Sequence, residues 1–262
     1  MTKSIQICAS IPRATPHRMV SALLVVLLGS GTAAFAAEPD HTIVGLGAAS
    51  VPGYKGSAER NTRLAPLIDV KKGRFFAKTD AGLGVNIYEH RYFTLGASVN
   101  WMKGYEAEDA PSGVGEVKDA MGGRVFVSTH ISGAVATFSA TQALNEKQRG
   151  LQLDAKVAYP WKATDKLTLI PSLAISGGNA KHLNSYFGID AQRASRSGLP
   201  RYRMKAGVKE VTFGVSASYQ LSEHWAAAGG LAFGRLLGDA ADSPIVERKS
   251  NATGLLGLTY AF

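Results

Sequence analysis

The sequence predicts an all-β protein, a single antiparallel β-barrel that crosses an outer membrane. Three observations predict this fold. Apolar residues alternate with polar or small ones through most of the chain, long connections alternate with tight ones, and the chain ends on an aromatic residue, Phe262. After the N-terminal segment, no stretch approaches the ~18 consecutive apolar residues of a membrane-spanning helix.

The N-terminal segment, residues 1–36, has the composition of a secretory signal peptide that is cleaved before Ala37. It begins with basic residues and no acid, continues with an apolar run at 19–28, and ends in small residues. The alternative, a membrane anchor, requires about 20 apolar residues, and this run is much shorter. Cleavage removes three basic residues, which lowers the net charge from +9 to +6, and it removes the only cysteine, Cys8. The remaining residues, 37–262, are predicted to form the barrel.

The strand prediction depends on a repeat of two residues. Successive side chains of a strand point to opposite faces, so alternation gives each strand one apolar face and one polar or small face. The clearest such segments are 93–101, 151–161, 167–175 and 211–221. Their lengths suit tilted strands of about 9–11 residues that cross a bilayer. Half-buried strands of a soluble sheet are the alternative, but those are usually nearer 5–6 residues.

Aromatic residues and the connections support the membrane interpretation. Aromatic side chains occur at segment ends, where an interfacial girdle requires them: Trp101, Trp161, Tyr219 and Trp225. The long polar connections are 52–61, 102–120, 142–150, 177–206 and 237–250. The tight connections are 71–74, 89–91, 132–134, 163–166 and 222–224. Outer-membrane barrels show this asymmetry, with long loops outside the cell and short turns in the periplasm.

The number of strands depends on the segment 74–88. If it is one strand, the count is eleven, and the 89–91 turn lies on the wrong side of the membrane. If it breaks near Asp80–Gly82 into two short strands, the count becomes twelve, which is even, as in bacterial single-chain barrels. We therefore predict twelve strands, with ten as the alternative. The last strand, 254–262, alternates toward the terminal Phe262 and is similar to the signal that the outer-membrane barrel-insertion machinery binds.

No motif in the chain predicts catalysis, a cofactor or a metal. The six histidines lack metal-ligand spacing, and the sequence contains no nucleophile elbow, P-loop or H-E-x-x-H segment. Ser128 and His130 share one face of a strand, as a nucleophile and its base do in an outer-membrane lipid hydrolase, but polar lining of the lumen is the favoured interpretation. Asp239 and Asp242 resemble the paired acids of outer-membrane proteases, and we favour loop capping or an ion pair. We therefore predict a protein that is not an enzyme.

Charge is distributed unevenly between the two longest loops. The 177–206 loop is basic, with Asp190 as its one acid, and the 102–120 loop has more acidic than basic residues. A basic external loop predicts contact with the phosphates of lipopolysaccharide and other outer-membrane lipids, or an anion bias in a pore. Ion pairs between the two loops are the alternative. Binding of nucleic acid is not predicted, because no aromatic platform accompanies the basic residues.

Several segments together resemble the MltA-interacting protein (MipA)/OmpV family of Gram-negative outer-membrane proteins. The segments are 185–189, 194–202, 221–225 and 235–246, with weaker similarity at 45–47, 52–56 and 66–68. The resemblance covers residues 42–262 and is densest from residue 185 onward. It implies an outer-membrane barrel without catalytic residues and, from one member, a scaffold that brings a murein hydrolase together with a murein synthase.

The motifs at 186–188 and 235–246 lie in predicted external loops, so we expect them to pack together over the mouth of the barrel. Gly238 is expected to form a tight turn there. Three functions follow as alternatives: a scaffold with a plugged lumen, a narrow pore lined by small residues, and, third, a lipid hydrolase.

Overall fold

The computed structural model describes residues 39–262, and the predicted signal peptide lies outside this range. The strands are β1 His41–Pro52, β2 Arg60–Lys72, β3 Phe75–Lys78, β4 Gly82–Glu89, β5 Phe93–Met102, β6 Ala120–Ile131, β7 Ala134–Ala143, β8 Leu151–Ala158, β9 Trp161–Lys162, β10 Leu167–Gly178, β11 Gly207–Gln220, β12 Trp225–Leu236 and β13 Ser250–Ala261. Three helices lie in the loops: α1 Ala180–Phe187, α2 Ala191–Ser197 and α3 Gly238–Ala241. None of the helices within 39–262 is long and apolar enough to cross a bilayer.

All strand pairs are antiparallel, and they form one closed sheet. Each strand pairs with its neighbours in the chain, β13 pairs with β1, and β10 pairs with β11, which completes the circle. The segments β8 and β9 both pair with β10 and are one barrel strand interrupted at Pro160, which has no N–H for the ladder. The barrel therefore has twelve strands, as predicted.

The predicted break in the segment 74–88 is confirmed. It gives the hairpin β3–β4, whose turn at 79–81 lies on the side of the long loops but is only three residues long. β3 pairs only with Asp69–Lys72. Residues 60–68 of β2 therefore pair with β1 on one edge and have no strand partner on the other edge within the described residues. Pro66 lies on this part of β2, and proline is tolerated at such an edge.

The two faces of the wall differ as the alternation predicts. Outward positions carry large exposed apolar side chains, such as Leu173 and Phe213, and the four predicted girdle aromatics are all exposed. Inward positions of β11 and β12 carry small residues: Thr212, Gly214, Ser216, Ala226, Ala228 and Gly230. Most large apolar side chains of the wall therefore face lipid, while some, such as Phe76 against Phe126, pack on the inner side.

One irregularity places two charged side chains on the inner face. The register between β10 and β11 shifts between Ser176 and Gly177, so Lys209 is an extra residue in β11. A bulge of this kind turns adjacent side chains toward the same face. Lys209 and Glu210 are consequently both buried, 8% and 7% exposed, at the loop end of the barrel.

Candidate functional site

The long loops pack against one another at the barrel mouth around an apolar core. We call this core the loop cluster; its buried members are Tyr54, Tyr105, Val114, Val117, Leu183, Phe187, Ile189, Met204, Leu236, Ala240, Ala241 and Ile245. They come from four connections, β1–β2, β5–β6, β10–β11 and β12–β13, with Leu236 from the end of β12. Each large apolar side chain buried in this cluster contributes about 1.5–3 kcal/mol of stability. Together these side chains hold the four loops as a unit.

The predicted packing of the two resemblance motifs is confirmed. Phe187 lies in the loop cluster with Ala240 and Ile245, and the hydroxyl of Ser243 donates a hydrogen bond of 2.6 Å to the carbonyl of Phe187. Gly238 begins α3 with φ +51°, a left-handed conformation that favours glycine. These motif residues therefore have a structural role at the mouth.

Three tyrosines form the aromatic side of the loop cluster. Tyr105 contacts both Tyr54, with ring centroids 5.4 Å apart, and Tyr186, at 5.1 Å edge to face. The Tyr54 hydroxyl donates to the carbonyl of Ile245, and the Tyr105 hydroxyl donates to the carbonyl of Tyr186 at 3.1 Å. Burial raises the pKa of all three tyrosines, which stay neutral.

A buried polar network lies directly beneath the loop cluster. His182, the third residue of α1, is 2% exposed; its Nδ1 lies 2.8 Å from the carbonyl oxygen of Arg149, and its Nε2 lies 3.0 Å from Lys209 Nζ. A carbonyl only accepts, so Nδ1 carries the proton and Nε2 accepts from the ammonium. Burial, with the charge of Lys209 second, lowers the pKa of His182 to about 3.

Two further contacts complete this network. Lys209 Nζ also donates to Gln152 Oε1 at 3.3 Å, and Gln152 donates in turn to Asp154. Beside them, Lys55 forms an ion pair with Glu210. The charges that the bulge in β11 turns inward thus connect the β1–β2 loop, the helix α1 and the strand β8.

Sequence reasoning did not predict His182, Lys209 or Glu210. The available signal was the pair of adjacent charges, Lys209–Glu210, in a strand that otherwise alternates. Two charges side by side cannot both face the lumen in a regular strand, so they indicate a bulge.

Ser128, Asp239 and Asp242, three of the sequence candidates for catalysis, form contacts of an ordinary structural kind. The hydroxyl of Ser128 lies 2.8 Å from that of Thr137 on the neighbouring strand, as polar lining of the lumen requires. Asp242 forms an ion pair with Lys249 at 2.8 Å, and Asp239 accepts the Tyr202 hydroxyl through its backbone carbonyl. Within 39–262, no group of three His, Cys, Asp or Glu side chains is placed to hold a metal ion.

Ion pairs between the acidic and the basic long loops, the alternative from the sequence, are not found among the described residues. Asp119 bonds to its own loop and to the end of β5: it accepts from Trp101 Nε1 and Gly104 N at 2.7 Å and from Lys103 at 2.8 Å. Burial opposes its ionisation, but these hydrogen bonds lower the pKa of Asp119 to about 2. Asp109 pairs with Arg63 of β2. The basic loop therefore keeps its positive charge at the mouth.

The chain is similar to known outer-membrane proteins. A family model described as MltA-interacting protein MipA matches residues 44–262. An outer membrane protein of Escherichia coli K12 named YiaT is 25% identical over 227 residues, which are 84% of this chain and 90% of that protein. The MltA-interacting protein of the same strain is 30% identical over 98 residues, 37% of this chain and 38% of that protein.

Among solved structures, the chain is similar to the NanC porin, with a TM-score of 0.46 and 11% identity, over 84% of this chain and 98% of that one. The KdgM porin gives a TM-score of 0.45 and 10% identity, over 84% and 99%. The twelve-strand barrel and the outer-membrane relatives assign the chain to the outer membrane.

Proposed function

Because the chain belongs to the MltA-interacting protein MipA family, we propose that it is a closed, non-enzymatic barrel that serves as a docking scaffold for murein-remodelling enzymes. The partner is expected to be a murein hydrolase of the MltA type, after the family's description and the E. coli relative of the same name. The observation that carries the proposal is the loop cluster, which fills the external mouth. A barrel closed in this way is suited to binding rather than to passage of solutes.

A periplasmic partner can contact only the short-turn end of the barrel, and one part of this end is suited to binding. The β2–β3 and β4–β5 turns are neighbours, since the Arg74 guanidinium donates to the carbonyls of Asn86 and Ile87. Lys72 and Arg91 are exposed there, and neither forms an ion pair within the described residues. Arg91 stacks on Tyr92, which is 57% exposed. Arginine and tyrosine are enriched in the residues that contribute most to protein interfaces.

The test measures binding of the detergent-folded mature chain to a purified MltA-type lytic transglycosylase by biolayer interferometry. We expect the double variant Lys72→Glu/Arg91→Glu to weaken binding by about tenfold or more. Lys166→Glu, in the turn before β10, is the control: it is exposed and reverses one charge at the same end, so it is matched to the single variants Lys72→Glu and Arg91→Glu, which are measured beside the double variant. No binding by the wild-type chain, or equal losses in Lys166→Glu and the single variants, would contradict the proposed docking surface.

A narrow pore is the second candidate, because the inner faces of β11 and β12 are lined by small residues below the loop cluster. Single-channel recording in planar bilayers separates the two functions. A closed scaffold is expected to give no steady current when heat-modifiable gel migration shows that the protein is folded. Steady currents from the wild-type chain, reduced by charge reversal at Arg193, Arg196 and Arg201, would instead support a pore.

A further inference from the structure

A groove on the outer surface of the loops is lined mainly by polar and charged residues, in contrast to the apolar loop cluster. It lies between the β5–β6, β7–β8 and β10–β11 loops and has a volume of about 880 Å³, within the range of about 300–1,000 Å³ of ligand sites. The lining residues come in part from the 3₁₀ turn Lys147–Arg149 and from both ends of α1. We call it the anion groove.

The charges around this groove are strongly unbalanced. Six basic side chains line it: Lys118, Arg149, Lys181, Arg193, Arg201 and Arg203. Three acidic side chains oppose them, Glu116, Glu146 and Asp190. Asp190 is occupied in capping α2, where it accepts the Arg193 N–H at 2.8 Å. None of the six cations lies within ion-pair distance of a carboxylate among residues 39–262.

Arg149 provides a second, independent observation. It is 4% exposed, its guanidinium donates to the carbonyls of Lys103, at 2.8 Å, and Lys118, and it lies 5.9 Å from the ring centroid of Tyr186. Its Nε has no hydrogen-bond partner within the described residues. Asp119 and Glu146 act on this guanidinium only from a distance. A buried guanidinium without a direct ion pair is costly, and an anion in the groove would compensate it.

We propose that the anion groove binds a phosphate group carried by a saccharide. A phosphomonoester carries a charge of about −1.5 to −2, which suits a groove with three more cations than anions. Arginine matches the oxygens of phosphate with two parallel N–H donors, and four of the six cations are arginines. Gln148 and Ser185 lie in the same walls and provide polar groups for sugar hydroxyls. The proposal is independent of the docking surface at the periplasmic end.

The same chemistry is available from two sources, the phosphorylated sugars of lipopolysaccharide in the same leaflet and free sugar phosphates. The experiment therefore has two arms, both with the folded mature chain. In the first arm, calorimetry measures binding of glucose 6-phosphate, with glucose as the uncharged control. In the second arm, binding to vesicles that contain purified lipopolysaccharide is compared with binding to the same vesicles after enzymatic dephosphorylation.

The diagnostic variant is Arg201→Glu/Arg203→Glu, because both side chains are exposed and line the groove. Arg196→Glu/Lys205→Glu is the matched control: it makes the same change in charge in the same loop, outside the groove. We expect phosphate-dependent binding to fall by about tenfold or more in the first variant and to change little in the second.

The outcomes separate the sources and test the proposal. Binding of glucose 6-phosphate supports a soluble ligand, and binding only to phosphorylated lipopolysaccharide supports the membrane source. An absence of phosphate-dependent binding in both arms would overturn the proposal. Equal losses in the two variants would also overturn it, since they indicate attraction to the general positive field of the loop and no specific site.

Discussion

The loop end and the barrel wall of this protein are packed in opposite ways. The wall has most of its large apolar side chains outside and mainly small or charged ones inside, with Phe76 and Phe126 as inward exceptions, whereas the loops bury twelve mostly apolar residues around Phe187 and the tyrosines. The reason is the solvent: lipid accepts apolar side chains at the wall, but the loops are in water and must bury theirs. The only large apolar core of the described residues therefore lies where the barrel would otherwise be open.

The largest expected effect is the opening of the mouth by Phe187→Ala. The Phe187 ring is 1% exposed, and removal of such a ring from a core costs about 3–5 kcal/mol. We expect faster proteolysis of the loops and new ion conductance in planar bilayers, because the inner faces of β11 and β12 below are lined by small residues.

Phe213→Ala is the matched control for this variant. It removes the same ring from the lipid-facing wall, where the side chain is 52% exposed, so the loops should stay protected and the barrel closed. If the two variants conduct equally, or if neither affects proteolysis, the loop cluster does not close the barrel.

A smaller effect is expected from acid. His182 is neutral when the loops are packed, with a pKa of about 3 instead of 6.5, and it faces Lys209, Arg149 and, through Gln152, Asp154. When the loops are unpacked, His182 is expected to have its ordinary pKa of 6.5 and therefore binds a proton below that pH. The packed state consequently loses stability as the pH falls from about 6.5 toward 3. At pH 5 the loss is on the order of 2 kcal/mol. Hydrogen exchange of α1 should therefore be faster at pH 5 than at pH 7.5, after correction for the intrinsic rate.

His182→Gln sharpens this test, because glutamine can replace both hydrogen bonds and does not titrate in this range. The variant should show nearly equal corrected exchange of α1 at the two pH values. A wild-type chain with no pH dependence, or a variant that keeps the full dependence, would show that His182 does not couple acid to the packing of the loops.

These two regions also differ in how far the sequence predicted them. The twelve strands and the break at Asp80–Gly82 follow from alternation, which is a local property of the chain, and from the even strand number of bacterial single-chain barrels. Contact between Phe187 and the segment 235–246 was expected only because both belong to predicted external loops. The contacts of His182 with Lys209 and Arg149 were not predicted, because the loops have no repeat that fixes their packing and the bulge in β11 shifts the alternation.

The smallest expected effect concerns the β3–β4 hairpin, beside which β2 has a strand partner on one edge only. The Thr79 hydroxyl accepts from Ile68 N at 2.8 Å and donates to the Pro66 carbonyl at 3.0 Å, so one side chain replaces strand contacts that β3 is too short to make. Thr79→Val removes both bonds at nearly constant volume and should lower the free energy of unfolding by about 1 kcal/mol, measured by urea titration of the folded barrel. Thr79→Ser keeps the hydroxyl and should retain most of the stability. No loss in Thr79→Val, or a loss confined to Thr79→Ser, would assign the effect to the threonine methyl group, and the hydroxyl would then contribute nothing to the edge of β2.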